Sequence, residues 1–272
     1  MLSAVGAARQ NGYGFGPLLR QWRLARRLSQ EALALAGNVS PRHMSFLETG
    51  RSRPSREMVL GLAEQLDLPL RDRNELLLAA GFAPAYLARP DDDPQLRVVN
   101  ETLRGLLAAH DPYPAAVVDS GWNRLIANEG SRILLAGVAP ALLTEPVNIM
   151  RLTLHPEGMA PRIRNLGEWS QHLLHRLRRQ AIGANSAELA ALREELAGYP
   201  GVEDRPVVVD DPGRRIALPL EYESEHGTLR FLSVTASFGA PSDITLAGMI
   251  IEYLYPADDA TRDILTGRAR TG

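Results

Sequence analysis

The chain of 272 residues is 45% hydrophobic and 23% charged, which excludes a disordered chain, a collagen-like fibre and a small stapled scaffold, and leaves room for one large or two modest domains. It contains no cysteine, which excludes disulfides, zinc fingers and a thiolate nucleophile and fits a reducing compartment. The formal charge of −2 hides a polarity: residues 1 to 60 hold nine arginines and three acids, a formal +6, and the rest of the chain holds −8, so a basic head on an acidic body calls for an anionic partner at the head alone.

Residues 1–16 are rich in glycine and alanine without periodicity and read as a loose arm, with order beginning near Pro17. From there, Leu18, Trp22 and Ala25 recur at helical spacing while Arg20, Arg23 and Arg27 mark another face, which predicts a first amphipathic helix. Ser29 is placed to cap a second helix carrying Leu33 and Ala36 inward and ending at Gly37 and Asn38. Ser40 caps a third, with Pro41 at the first position, where a missing N–H costs nothing, and with Met44 and Leu47 facing in. Thr49 to Pro54 form a basic loop, Ser55 caps a fourth helix running through Leu66, and a fifth ends at Gly81.

A short helix, a tight glycine-containing turn and a second short helix form the helix-turn-helix unit, whose second helix enters the DNA major groove. The outer face of that second helix holds Arg42, His43 and Ser45, and its flanks hold Gln30, Thr49, Arg51 and Arg53. Arginine pairs bidentately with guanine in the groove, and loop arginines neutralise phosphates. By spacing alone, a compact helical domain with a solvated basic face is the competing reading.

The run Ser29-Gln30-Glu31-Ala32-Leu33-Ala34-Leu35-Ala36-Gly37-Asn38-Val39-Ser40, followed by Met44 to Gly50 and by Pro54-Ser55, resembles the XRE (Cro and phage-repressor-like) family of helix-turn-helix regulators over about residues 17 to 80. The resemblance implies a five-helix, lambda-repressor-like domain at 17–83. It implies a phosphate contact at Gln30 and recognition-helix contacts at Ser40, Pro41, Arg42, His43, Ser45 and Phe46. It also implies that Arg23 and Glu48 are structural partners. Pro41 and Phe46 stand where many members place polar residues, although Phe46 suits contact with a thymine methyl.

Arg89-Pro90-Asp91-Asp92-Asp93-Pro94 is the clearest linker, within an expected connecting segment 84–94. Gln95 to Ala109 reads as a helix. Ala115 to Asp119 and Trp122 to Ala127 read as strands joined at Ser120-Gly121, and an apolar helix follows at Glu129 to Ala136. Leu166 to Ala181 and Ala187 to Leu196 read as longer helices. Then come Val207 to Asp210, the turn Asp211-Pro212-Gly213, and strand-like runs at Ile216 to Glu223, Thr228 to Phe238 and Ile244 to Tyr255. Leu218, Leu220 and Tyr222 alternate with Pro219, Glu221 and Glu223, as in an antiparallel strand buried on one side. Consecutive strands with short turns make hairpins, so the body is expected to be an antiparallel sheet with helices laid on one side.

This second region resembles the MmyB-like ligand-binding domain, a PAS-like sensor module found behind XRE-type heads. The resemblance rests on Asp119 to Asn128, Asn148-Ile149-Met150-Arg151 leading to His155-Pro156-Glu157-Gly158, Phe238 to Thr245, Glu252 and Pro256-Ala257-Asp258. It covers residues 95–262, leaving a tail at 263–272. It implies a multidomain protein, α followed by α+β, whose PAS-like cavity holds an apolar acyl ligand such as a fatty acid. Such a pocket needs an apolar cavity and a few fixed donors at its mouth. Trp122, Trp169, Leu173, Phe231 and Met249 are wall candidates, although a domain of this size needs such residues for plain core packing in any case. Arg151, His155 and His172 are candidates for the polar end, although Arg151 and His155 suit a loop-fixing role as well.

An enzyme acting on acyl substrates is the remaining alternative. His155 with Glu157, or His172 with His175, is too sparse for acid–base or metal chemistry, and no phosphate loop, nucleophile elbow or HExxH run occurs. No catalytic residue, metal or cofactor is therefore expected. No apolar run reaches membrane-spanning length and the N-terminus lacks a signal-peptide pattern, so a cytoplasmic location is expected. The expected protein is a ligand-responsive, sequence-specific DNA-binding regulator, a homodimer on a palindromic double-stranded operator. A body serving only dimerisation or protein contact is the alternative.

Overall fold

The helical signals between Pro17 and Gly81 form five helices in the computed structural model, which describes residues 14–89, 93–205, 217–239 and 241–267. They are α1 (Phe15–Ala25), α2 (Gln30–Ala36), α3 (Pro41–Glu48), α4 (Arg56–Gln65) and α5 (Leu70–Ala79). The hydroxyls of Ser29, Ser40 and Ser55 accept from the backbone N–H of Ala32, His43 and Met58, filling one orphan donor at each helix start. Phe15, Leu19 and Trp22 of α1 meet Leu33 and Ala34 of α2, Met44 and Leu47 of α3, and Val59, Leu62, Leu76 and Leu77 of α4 and α5 in one core.

Three details differ from the sequence reading. Helix α1 starts two residues before Pro17, and Phe15 and Gly16, expected in the loose arm, are buried. The reason is close approach: a Cβ on Gly16 would stand 2.5 Å from the carbonyl oxygens of Leu47 and Glu48, so only glycine lets α1 lie against the end of α3. Ala25 and Ala36 are exposed, because the inward stripes run through Leu19 and Trp22 and through Leu33 and Ala34.

The chain divides into two units after Leu87. Residues up to Tyr86 are tied to the first unit, since Asn74 Oδ1 accepts from the N–H of Ala85 and Tyr86 and its Nδ2 donates to Tyr86 O. Arg89 belongs to the second, pairing with Asp93 and Asp243 at 3.2 Å each. Of the expected linker, residues 90–92 lie outside the described residues, and Pro94 opens a helix rather than ending the linker, with the Asp93 carboxylate accepting from Gln95 N at 2.8 Å.

The second unit runs α6 (Pro94–Ala108), β1 (Ala115–Val118), β2 (Arg124–Ala127), short 3₁₀ turns, α7 (Ile149–Leu154), α8 (Leu166–Gly183), α9 (Ala187–Ala197), β3 (Leu220–Ser224), β4 (Gly227–Ser237), α10 (Ile244–Ala247), β5 (Ile250–Pro256) and α11 (Asp259–Leu265). The five strands form one antiparallel sheet in the order β2-β1-β5-β4-β3, so the last strand enters between the first hairpin and the second. This is the expected PAS-like sheet covered by helices.

Helices lie on both faces rather than one. Leu103 and Leu107 of α6 pack with Ala115, Val117 and Ile251, while Val118, Leu220, Tyr222 and Phe231 pack with α7, α8 and α9 on the opposite face. The apolar runs of β1 and β5 are what a strand buried on both sides requires. Other expectations shift locally. The run Glu129 to Ala136 forms a 3₁₀ turn over Glu129–Leu134 rather than a full helix. The strand expected at Ile244 to Tyr255 is split, because the Asp243 carboxylate accepts from Thr245 N and Leu246 N and nucleates α10, which Gly248 ends. The tail expected at 263–272 begins inside α11, whose Ile264 and Leu265 pack on the main core. The expected features at Val207 to Asp210, Asp211 to Gly213 and Ile216 lie outside the described residues, as do residues 1–13 of the arm.

Candidate functional site

In the first unit the residues expected at DNA are set outward by the pattern that turns Met44 and Leu47 inward. Ser40, Pro41, Arg42, Thr49, Arg51 and Arg53 are exposed, and Gln30, His43, Ser45 and Phe46 are half-buried. The Arg42 guanidinium lies 5.4 Å from the centre of the Phe46 ring, a cation–π contact that shelters the ring and pre-orients the arginine. The Thr49 hydroxyl donates to Ser45 O at 2.7 Å, which leaves it no hydrogen for a phosphate. Gln30 Nε2 donates to Glu48 Oε2 at 2.7 Å, which leaves its second N–H and its carbonyl for other partners.

Glu48 is the centre of that surface's scaffold. Arg23 Nε and Nη2 donate to its two oxygens at 2.6 and 2.9 Å, and Arg23 Nη1 donates to Leu28 O at 2.8 Å. Burial pushes the Glu48 carboxyl up, but the hydrogen bonds from Arg23 and Gln30 and the charges of Arg23 and Arg20 outweigh it and hold the group below its usual range. The pair expected between Arg23 and Glu48 is thus formed, and it joins α1, α2 and α3.

In the second unit a cavity of about 470 Å³ lies between the sheet and α7–α8, within the usual range for small-molecule sites of about 300–1,000 Å³. Its apolar wall includes Leu134, Met150, Leu152, Met159, Leu220 and Leu254 beside Trp122, Trp169 and Leu173. Trp122 stands there through a strained turn, with φ of +69°, a left-handed conformation that costs a bulky residue about 1–3 kcal/mol. The turn is over-determined. Asp119 Oδ1 accepts from the N–H of Gly121 and Asn123 at 2.8 Å each, and Asn148 Nδ2 donates to Gly121 O at 2.8 Å while its Oδ1 caps α7. Trp122 Nε1 donates to Gln180 Oε1 at 2.7 Å.

Of the eight residues expected at the ligand, Trp122, Trp169 and Leu173 line this cavity and five do not. Phe231 is wholly buried in the core of that face, and Met249 packs on the other face with α6. Arg151 is corrected to a structural partner: both of its donating nitrogens lie 2.7 Å from Glu195, joining α7 to α9. His155 lies edge-on to Tyr199, and its Nδ1 accepts from Glu157 N at 3.1 Å. His172 lies against Trp169, and burial, with the charges of Arg176 and His175, pushes its imidazole down.

The polar groups on the cavity are others. Arg176 lies over the Trp122 ring at 4.4 Å and donates to Glu252 Oε1 at 2.5 Å, and Ser233 Oγ donates to Glu252 Oε2 at 3.3 Å. Burial pushes the Glu252 carboxyl up against the pull of Arg176. Two signals were available in the sequence. Trp169, Leu173, Arg176 and Gln180 share one face of a helix, and Glu252 is a lone acid in an apolar strand. Among the described residues no group of three His, Cys, Asp or Glu side chains is arranged to hold a metal, and no helix is long and apolar enough to cross a membrane.

Comparison with known proteins gives two family matches in the chain. A helix-turn-helix profile matches residues 19–72, and the profile of the MmyB-like transcription regulator ligand binding domain matches residues 99–266. No curated protein matches. Among solved structures, an RNA-binding light-oxygen-voltage receptor is similar at 15% identity with a TM-score of 0.27, over 92% of this chain and 62% of that one.

Proposed function

The chain belongs to the family defined by the MmyB-like transcription regulator ligand binding domain, and from that premise we propose a ligand-responsive, sequence-specific DNA-binding regulator whose ligand is an apolar acyl compound. The observation that carries this reading is the cavity with an apolar wall between sheet and helices, in a chain that also presents Arg42, Arg51 and Arg53 on and beside a recognition helix.

Arg42 reads a base edge, with Ser45 and Phe46 beside it, and Arg51 and Arg53 hold phosphates. One recognition helix covers one half-site, so a homodimer reads a palindromic operator with half-sites about 34 Å apart. Ligand alters operator binding by favouring one arrangement of the dimer over another, in proportion to its difference in affinity for the two.

Native mass spectrometry of the purified full chain, with extraction of whatever it carries, tests the ligand and the dimer together. The expected result is a dimer mass and a released acyl compound; a ligand-free protein that takes up no acyl compound would confine the body to a contact role. Gel shifts against genomic fragments at physiological salt test the head, and binding no tighter than to random DNA would sink the specific-regulator reading.

A further inference from the structure

Strands β1 and β2 pair through a bulge that lies at the cavity. Val117 stands opposite Ile126 and Val118 opposite Arg124, so Leu125 is an extra residue without a partner on β1. Side chains that stand opposite one another share a face of the sheet. Val117 and Ile126 pack with Leu103 and Leu107 of α6, whereas Val118 belongs to the core on the cavity's face. Strict alternation would send Arg124 with Ile126 to the α6 side. The bulge turns it to the side of Val118 instead, where it lines the cavity. Bulges recur beside functional sites because they re-aim one side chain of a strand.

Arg124 also differs from the other charges on that lining, which holds four arginines and three glutamates, a formal +1. Arg176 is matched by Glu252, which is 14% exposed, and lies over the Trp122 ring. Arg132 pairs with Glu129 with both side chains largely in solvent, and Arg104 is exposed on α6. The Arg124 side chain is 25% exposed and that of its partner Glu145 is 64% exposed, so a sheltered guanidinium is held by a solvated carboxylate. Pairs with so exposed a member are weakly held. Among the described residues that guanidinium donates once, from Nη2 to Glu145 Oε1 at 2.5 Å, and the rest of its five N–H donors are open to an anion. Glu145 Oε2 accepts from Val147 N at 3.1 Å, which keeps the carboxylate in place beside the cavity.

We propose that Arg124 anchors a negatively charged head on the acyl ligand, and that Glu145 is the resident competitor for its guanidinium. This rests on the acyl reading above and names the residue that holds the charged end. The head takes the N–H groups that Glu145 leaves open, and the two carboxylates then divide one positive charge between them.

The test is titration of the full chain, stripped of bound lipid, with dodecanoate and with 1-dodecanol at about pH 8, where the acid is ionised. R124Q is expected to weaken dodecanoate at least about tenfold and dodecanol less than about twofold, and E145Q, which removes the competitor, to tighten dodecanoate about threefold or more. Should R124Q fail to fold, E145Q decides the matter, because it leaves the anchor in place. Equal binding of dodecanoate by the wild type and R124Q overturns the inference, as does a loss in R124Q that dodecanol shares. Unchanged or weaker binding of dodecanoate by E145Q overturns it too, and so does a wild type that takes dodecanol and refuses dodecanoate. Each of these results leaves the acyl reading standing, whereas binding of neither compound by the wild type overturns both.

Discussion

The head buries an arginine–glutamate pair and the body holds a half-buried one, and the two pairs stand in opposite surroundings. In the head, Glu48 takes two of the three guanidinium nitrogens of Arg23 and the amide of Gln30, and the side chains of the pair are 7% and 2% exposed. In the body, Arg176 and Glu252 stand on the wall of a cavity, with a tryptophan on one side. A buried charge whose hydrogen-bonding capacity is filled by its own fold pins elements together. One with capacity to spare beside open space is a place where a ligand can be read.

That contrast can be broken by experiment, most forcefully at Glu48. Glu48→Ala strands a buried guanidinium, so the head is expected to lose about 3–5 kcal/mol in thermal or urea melting, with base preference unchanged in whatever remains folded. Altered preference without lost stability would make Glu48 a reading residue and collapse the distinction.

Asp72 offers a third condition, a buried carboxyl in the first turn of α5. Burial, with Glu75 adding to it, pushes Asp72 from the ordinary 3.8 to about 7, against the charges of Arg71 and Arg26. The folded head therefore keeps a proton that the unfolded chain releases, and its stability falls as pH rises from about 4 to about 7. Asp72→Asn is expected to stabilise the head by about 2–4 kcal/mol near pH 8.5 and to change nothing below about pH 4, as read from urea midpoints at the two pH values.

In the body, Asn148→Ala removes the clamp on the Trp122 turn and the cap of α7 together, and is expected to cost about 1–3 kcal/mol by urea unfolding. The smallest effects on stability belong to the DNA face, where the change is read in binding. Arg42→Ala should cost about 1–3 kcal/mol and relax preference at one base position, whereas Arg51→Ala or Arg53→Ala should weaken all sequences alike and flatten the salt slope by about one unit each. Competition gel shifts at two salt concentrations separate the two outcomes.

The same contrast accounts for what could be read in advance. The head's α2 and α3, its three serine caps and its outward residues follow one another within residues 29–55, so local rules of periodicity and capping reach them. Gly16 escaped because its role depends on α3, far along the chain, and its composition pointed to looseness. The body's antiparallel hairpins follow from its short turns, whereas the pairing of β1 with β5 joins distant parts of the chain, and at Ile244 to Ala247 β-branched residues favour a strand that the Asp243 cap overrode. The cavity's polar groups come from α8, β4 and β5, whose meeting only the folded sheet supplies. Arg151 and His155 drew attention by lying near a recognisable run and proved to serve the α7–α9 contact and a local turn.

The placement of the three tryptophans has a practical consequence. Trp22 lies in the head's core with Arg26 at 5.5 Å, while Trp122 and Trp169 stand on the cavity. The chain therefore carries two optical channels. Emission from a Trp22→Phe variant reports on the cavity alone, where ligand entry changes the polarity around both indoles. Trp22 itself, read in a chain lacking the other two, follows the melting of the head. Cavity occupancy and head stability can thus be recorded separately, one in each variant, without attaching any label.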